Sequence, residues 1–150
     1  ILCKSNYLNP KVGILHHHLI LEIMQKQLDA VKEFHQGFRI EYSEIPRGDL
    51  GESKNMLRYN LMKEENEEYL EAVQNDDKIE IADALGDMLY ILCGTIIEHG
   101  LQHKIEEVFD EIQRSNMSKL GEDGKPIYRE DGKVMKGPNY FKPDFSLILK

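Results

Sequence analysis

Tryptophan is absent from this chain of 150 residues, cysteine occurs twice, and no apolar run is long enough to span a membrane. Two cysteines, Cys3 and Cys93, do not make a disulfide framework, and the apolar run around Cys93 predicts a buried free thiol. The net charge of −8 argues against the basic face that a nucleic-acid binder needs. We therefore expect a cytoplasmic protein that binds neither membranes nor nucleic acids.

Residues 1–23 differ in sequence pattern from the rest of the chain. Three consecutive histidines, His16–His18, interrupt an apolar run that lacks the cleavage site of a signal peptide. Adjacent residues point in different directions on a helix, which favours a solvated or disordered stretch over a metal site. We interpret 1–23 as an N-terminal extension and 24–150 as one domain.

Apolar residues at helical spacing predict four helices. The first runs from Leu19 to Phe38, the second from Ser53 or Asn55 to the turn Gln74–Asp77, the third from that turn to Gly100, and the fourth contains Ile105–Ile112. From about residue 117 an irregular arm follows, with two EDGK segments that predict hairpin-like turns or an extended strap. The prediction is an all-α, four- to five-helix bundle with a C-terminal arm, completed by oligomerisation across a two-fold axis.

Carboxylates are the residues present in excess. Ten acidic side chains lie between Glu64 and Asp87, with Lys78 as the one basic residue among them. Like charges at helical spacing repel, so their concentration on two consecutive helices predicts a bound cation. Oxygen ligands without histidine favour Mg²⁺, with Mn²⁺ as the alternative, over a di-iron centre.

The short turn makes the second and third helices antiparallel, with Glu68 facing Asp83 and Glu64 facing Asp87. Either Glu64 or Glu65 is the candidate to orient or deprotonate a water molecule. The candidate metal ligands are Glu65, Glu68, Glu80, Asp83 and Asp87.

Three expectations qualify this set. Glu80 fits equally well as the capping partner of Asp77 at the start of the third helix. Small and apolar neighbours predict that at least part of the helix surface around Asp83 and Asp87 is buried, whereas Glu67 and Glu71 should lie on a solvated face. Gly86 costs helix stability, which predicts close approach of another helix or a ligand.

The arm is basic. Seven lysines and arginines but four acids lie between Arg114 and Lys142. The candidates for phosphate contact are Lys119, Lys133 and Lys136, with Asn116 as a polar anchor. Ordinary surface lysines, and Ser115 with Asn116 as a helix end, are the alternatives. Tyr140 or Phe141 could stack on a base or pack within the protein.

Two motifs join these residues to a known superfamily. The chain resembles the all-α nucleoside triphosphate pyrophosphohydrolases in two motifs, EExxE at Glu64–Glu68 and ExxD at Glu80–Asp83. The resemblance extends to three longer strings, EIADALGDMLYILCG, RSNMSKL and DGKVMKGPNY. That superfamily includes the MazG proteins and phosphoribosyl-ATP pyrophosphohydrolase, and the resemblance covers Met24–Ile148. It implies a homodimer or homotetramer whose carboxylates hold Mg²⁺, which in turn binds a triphosphate. As the metal ligands contributed by the third helix, the motif favours Glu80 with Asp83, while the antiparallel register of the hairpin favours Asp83 with Asp87.

The expected function is Mg²⁺-dependent hydrolysis of a (deoxy)nucleoside triphosphate to monophosphate and pyrophosphate, in nucleotide-pool cleansing. Phosphoribosyl-ATP hydrolysis in histidine biosynthesis is the alternative within the enzyme class. A non-catalytic acidic interaction module and a metal buffer are alternatives from other classes, although no EF-hand spacing supports the latter.

Overall fold

A computed structural model describes the backbone of residues 10–150 and the side chains of residues 24–150. The helices in this range are α1 (Pro10–Phe38), α2 (Glu52–Gln74), α3 (Lys78–Glu98) and α4 (Ile105–Met117). The predicted all-α fold is confirmed. None of the helices in the described range has the length and apolarity required to cross a bilayer.

α1 ends at Phe38 as predicted but begins at Pro10, well before the predicted start at Leu19. Proline is favoured in the first turn of a helix because its missing N–H would have no partner there. The predictions for Cys3 and for the side chains of His16–His18 lie outside the described residues. The boundary placed after residue 23 stays a prediction.

The chain divides into two compact units, Ile1–Leu101 and Gln102–Lys150. In the first unit α1 and α3 supply most of the core, whose buried apolar side chains are Leu28, Val31, Ala72, Ala84, Cys93, Ile96 and Ile97. Cys93 is fully buried and free, as predicted, and burial raises the pKa of its thiol. The thiol is therefore a packing group rather than a nucleophile.

α2 and α3 form the predicted helical hairpin. The carboxylate of Asp77 accepts hydrogen bonds from the N–H groups of Ile79 and Glu80, at 2.9 and 3.2 Å, and so caps α3. The Asp77 N–H donates to the carbonyl of Ala72 at 3.0 Å, which closes α2. Asp77 therefore both closes α2 and caps α3, which stabilises the short turn between the two helices.

The loop before α2 is hydrogen-bonded to the end of α3. The N–H of Ser43 donates to the Ile97 carbonyl at 3.3 Å, and the N–H of Arg47 donates to the His99 carbonyl at 2.9 Å. Gly100 has a positive φ of 69°, and a Cβ there would lie 2.0 Å from the Ile45 carbonyl oxygen. Only glycine fits at this position, which confirms the predicted end of α3.

In the second unit the arm packs along α4. The buried hydroxyl of Ser115 donates to the Phe141 carbonyl at 2.8 Å, and the Arg114 guanidinium lies 4.3 Å from the centre of the Phe141 ring. Phe141 thus packs within its own unit. The two EDGK segments form turns, with positive φ at Gly124 and Gly132. Of the two predicted alternatives, the structure therefore has the hairpin-like turns and not the extended strap.

Candidate active site

The predicted carboxylates lie along the seam between α2 and α3. A Cβ on Gly94 would lie 2.9 Å from Nη2 of Arg58, which places these two residues opposite each other. The two helices are antiparallel, so two turns forward along α2 correspond to two turns back along α3. The same register therefore places Glu65 opposite Asp87. Glu65 is half-buried in this seam, whereas Glu64 and Glu68 beside it are exposed.

Glu65 is the electrostatic centre of the group. Burial raises the pKa of its carboxyl most, and the charges of Glu68, Asp87, Glu64 and Asp83 raise that pKa further, in this order. Its Oε2 is buried without a hydrogen-bond partner in the described structure. An acceptor oxygen that is both desolvated and surrounded by negative charge gains free energy from any cation placed beside it.

The helix surface around Asp83 and Asp87 is buried in part, as predicted, but the two carboxylates themselves are not. Both side chains are exposed, and the buried residue among their neighbours is Ala84, which faces the other helices. They are grouped with Glu65 through their charge rather than through burial. Glu67 and Glu71 are exposed as predicted, and Glu67 pairs with Lys63 at 3.5 Å.

Glu80 lies at the edge of this arrangement. Its backbone N–H is capped by Asp77, but the reciprocal half of a capping box is absent, because the Asp77 N–H is bonded to Ala72. The carboxylates that raise the pKa of Glu65 are those of Glu64, Glu68, Asp83 and Asp87. The charges of α3 that act on Glu65 are therefore those of Asp83 and Asp87, and the choice between Glu80 with Asp83 and Asp83 with Asp87 stays a prediction.

No three or more histidine, cysteine, aspartate or glutamate side chains of the described residues are arranged as a ready-made metal centre. The donor chemistry nevertheless fits Mg²⁺, because the group around Glu65 offers only carboxylate oxygens. The unpartnered Oε2 of Glu65 is the second feature that a cation would satisfy. The residues present therefore fit the ion that the motifs imply.

The close approach predicted at Gly86 is found at Gly94 instead. Apart from its own turn of α3, no heavy atom of the described residues lies within 4 Å of a Cβ placed at Gly86. At Gly94 a Cβ would lie 2.9 Å from Arg58 and 3.2 Å from the His35 ring. The prediction that a helix of this chain packs against Gly86 is wrong.

A buried polar network beside the carboxylates was missed from the sequence. His35 and Glu98 are 2% and 3% exposed, and Arg58 reaches Glu98 with Nη1 at 3.3 Å from Oε1. The available signal was the spacing of His35, which continues the apolar stripe of Leu28 and Val31 along α1. A polar residue on such a stripe requires a buried partner.

The basic candidates lie in the second unit. The Lys119 ammonium donates to the Asn116 side-chain oxygen at 2.7 Å, and the Lys136 ammonium lies 4.4 Å from the centre of the Tyr140 ring. The Lys133 N–H donates to Asp131 within the second EDGK turn, at 3.1 Å. Their proposed contact with phosphate stays a prediction.

The raised pKa of Glu65 predicts a specific pH dependence. The folded pKa lies above the ordinary value of 4.5, so the folded state binds more protons than the unfolded chain between these two values. The contribution of Glu65 to stability therefore falls as the pH rises through this window. Denaturant unfolding in EDTA should show that the stability advantage of Glu65→Gln over wild type grows as the pH rises above 4.5. An advantage independent of pH would contradict the assignment.

The fold and the site together define an all-α protein with a carboxylate-rich helical hairpin. The phosphoribosyl-ATP pyrophosphohydrolase family profile matches residues 31–116, more than half of the chain. The chain belongs to this family, and membership supports a pyrophosphohydrolase activity.

Among solved structures, the chain is similar to a protein of Exiguobacterium sp. 255-15 named as a candidate NTP pyrophosphohydrolase. The two are 23% identical, with a TM-score of 0.42 over 95% of this chain and 80% of the other. No curated protein matches this chain significantly.

Proposed function

We propose that this protein hydrolyses a (deoxy)nucleoside triphosphate to a nucleoside monophosphate and pyrophosphate in the presence of Mg²⁺, and so removes unwanted nucleotides from the pool. The observation that carries the proposal is Glu65, a half-buried carboxylate with an unpartnered oxygen and four further carboxylates acting on it. An acidic interaction surface would have no need to desolvate one of its charges. Family membership points to the same class of reaction.

The metal ligands in this proposal are Glu65, Glu68, Asp83 and Asp87. When bound, Mg²⁺ would neutralise phosphate charge and lower the pKa of a water molecule. Glu80 remains outside the set because its position at the first turn of α3 serves the helix end.

Water adds across the anhydride between the α- and β-phosphates, so that one P–O bond forms and the bridging P–O bond breaks. Glu64 is the proposed acceptor of the water proton, because it lies exposed beside Glu65 and is free to turn toward solvent. Glu65 then has the metal-binding role. Glu64→Gln should lower kcat and leave metal affinity unchanged, whereas Glu65→Gln should lower both.

Phosphoribosyl-ATP is the second candidate substrate, because the matching family is named for its hydrolysis. The same acidic hairpin would serve both substrates. In either case Lys119, Lys133 and Lys136, with Asn116, are the proposed contacts to substrate phosphate.

The deciding assay is pyrophosphate release from canonical, deoxy and modified nucleoside triphosphates and from phosphoribosyl-ATP, with Mg²⁺ and with EDTA. We expect metal-dependent release that Glu68→Gln lowers by more than about 100-fold, since even supporting residues of metal sites contribute about 10- to 100-fold. Glu67→Gln is the matched control, an exposed neighbour that pairs with Lys63. Absence of release from every substrate, with thermal stability unaffected by Mg²⁺, would leave the interaction module as the better explanation.

We further propose that a second copy of the chain covers an apolar face of the hairpin. This face lies on the side of α2 away from Glu64 and Glu68, and its exposed side chains are Tyr59, Met62, Tyr69, Leu70, Val73, Leu85, Leu89 and Leu92. An open groove of about 560 Å³ within it is lined by residues of both helices. Contiguous exposed apolar surface of this kind is typical of protein interfaces, and one face shared by two copies gives a closed dimer.

The apolar face predicts a dimer of the 17.5 kDa chain that single charges would break. Leu70→Lys and Leu92→Lys should each shift the protein to monomer in light scattering after size exclusion, because a buried unpaired ammonium is strongly unfavourable. Leu57→Lys is the control, since Leu57 is equally exposed on α2 but lies on the carboxylate side. A wild-type protein that is monomeric at every concentration would refute the proposal.

A further inference from the structure

Arg58 is the most extensively bonded side chain of α2. Its Nε donates to the Thr95 hydroxyl at 2.9 Å, and its Nη2 donates to the Ile91 carbonyl at 2.5 Å. Its Nη1 lies 3.3 Å from Oε1 of Glu98. All three nitrogens of the guanidinium therefore contact α3, on three successive turns of that helix.

The network continues into α1. Oε1 of Glu98 lies 3.5 Å from Nε2 of His35, and the other ring nitrogen of His35 lies 2.9 Å from the Val31 carbonyl oxygen. Burial lowers the pKa of Arg58, and the charge of Glu98 opposes that effect. Gly94 leaves the space in which Arg58 and His35 meet. Arg58 and Glu98 thus form a buried ion pair between α2 and α3, and His35 of α1 lies against the same oxygen of Glu98.

Apolar packing between α2 and α3 is sparse near the carboxylates. Ala72 is the one buried side chain of α2, and Ala84 is the buried side chain of the first half of α3. Toward the other end of the seam, the inward positions are the half-buried Glu65 and Leu61, and then Arg58. The carboxylates around Glu65 repel one another, which disfavours close approach of the two helices at that level. The buried Ala72 and Ala84 lie on one side of Glu65 along the seam, and Arg58 with its bonds to α3 lies on the other.

We propose that Arg58 is a positioning residue for the metal site: by binding Ile91, Thr95 and Glu98 it holds α2 and α3 in the spacing and register that put Glu65 opposite Asp87. Arg58 and Glu65 lie about 10 Å apart along α2, two helical turns at 1.5 Å per residue. Arg58 therefore lies too far from Glu65 to contact an ion bound there. Its effect on metal affinity passes through the position of the helix. This inference rests on the proposed function.

Two substitutions separate positioning from folding. Arg58→Lys keeps a positive charge near Glu98 but removes the fork that reaches Ile91 and Thr95 together. Thr95→Val removes only the hydroxyl that accepts from Arg58, in a side chain of the same shape. Ile96→Val is the control for lost stability, because Ile96 is a core residue outside the network. Lys54→Arg is the control for exchanging one basic side chain for another on α2, where Lys54 pairs with the exposed Glu41 at 2.8 Å.

The readout is Mn²⁺ affinity of the folded, substrate-free protein, measured by electron paramagnetic resonance together with circular dichroism. We expect Kd for Mn²⁺ to rise about tenfold or more in Arg58→Lys, as for residues that support metal ligands, and less in Thr95→Val. Both controls should keep the wild-type Kd. Saturating Mg²⁺ should restore much of kcat in both network variants.

The outcomes are separable. Folded Arg58→Lys with wild-type Mn²⁺ affinity would overturn the positioning role and leave the proposed function intact. Should Arg58→Lys fail to fold, an unchanged Kd in Thr95→Val would overturn the inference, and a raised Kd would support it. Wild-type protein that binds no Mn²⁺ and releases no pyrophosphate would overturn the proposed function and this inference with it.

Discussion

Glu65→Gln is expected to stabilise the metal-free protein and to abolish pyrophosphate release. The carboxylate is half-buried, its Oε2 lacks a hydrogen-bond partner in the described structure, and four carboxylates act on it. Glutamine has nearly the same shape and removes the charge that burial and repulsion disfavour. The same charge is the one a divalent cation requires, so stability without metal and activity with metal should change in opposite directions.

The expected gain is about 1 kcal/mol, at the low end for a buried unsatisfied polar group, because solvent screens a side chain that is only half-buried. For a chain of this size it corresponds to about 2–4 °C in Tm. Activity should fall by more than about 100-fold, beyond the loss seen for supporting residues of metal sites. Calorimetry in EDTA and pyrophosphate release in Mg²⁺ measure the two effects.

Glu67→Gln is the control for this experiment, because Glu67 is exposed and carries the same charge on the same helix. It should alter neither quantity appreciably. A Glu65→Gln variant that is less stable than wild type in EDTA would mean that the carboxylate is compensated within the folded protein. That result would remove the main support for a cation at this position.

Asp87→Asn and Asp83→Asn are expected to lose more than about 100-fold in activity, while Glu80→Gln stays near wild type. The charges of Asp87 and Asp83 act on Glu65 across the seam, whereas Glu80 lies in the first turn of α3 beside its cap. Loss of the Glu80 charge should cost stability by about 0.3–1 kcal/mol through the helix dipole. Its removal should leave the metal requirement unchanged.

The measurement is the Mg²⁺ concentration that gives half-maximal pyrophosphate release in each variant. All three substitutions remove one negative charge at an exposed position of the same helix, so net charge is controlled. An inactive Glu80→Gln with a raised Mg²⁺ requirement would place Glu80 in the site. The interpretation of ExxD as Glu80 with Asp83 would then be preferred over the hairpin register.

The helices could be predicted from the sequence because apolar periodicity and turn residues act locally. Asp77 and Gly100 mark the ends of α3 through their own capping bond and backbone conformation. The start of α1 was predicted too late because three histidines break the apolar pattern without breaking a helix. Apolar periodicity marks only helices with one apolar face, so it does not detect a helical segment whose sequence lacks that pattern.

The antiparallel hairpin that carries the carboxylates was also predictable, although its register is displaced by one residue, with Glu65 rather than Glu64 opposite Asp87. Burial among these carboxylates was not predictable. Asp83 and Asp87 have apolar neighbours in sequence yet are exposed, while Glu65 lies in a run of acids and is half-buried. Sequence neighbours on a helix point in different directions, so composition around a residue does not report its environment.

By itself, the sequence determined the all-α class, the hairpin and the acidic face, because each follows from interactions between residues a few positions apart. The tertiary structure decided that Gly94 rather than Gly86 faces a neighbouring side chain, and that Arg58 and Glu98 pair in the interior. It also decided which carboxylate is desolvated, namely that of Glu65. These properties depend on how closely helices distant in sequence approach one another, and desolvation and charge pairing change steeply over that distance.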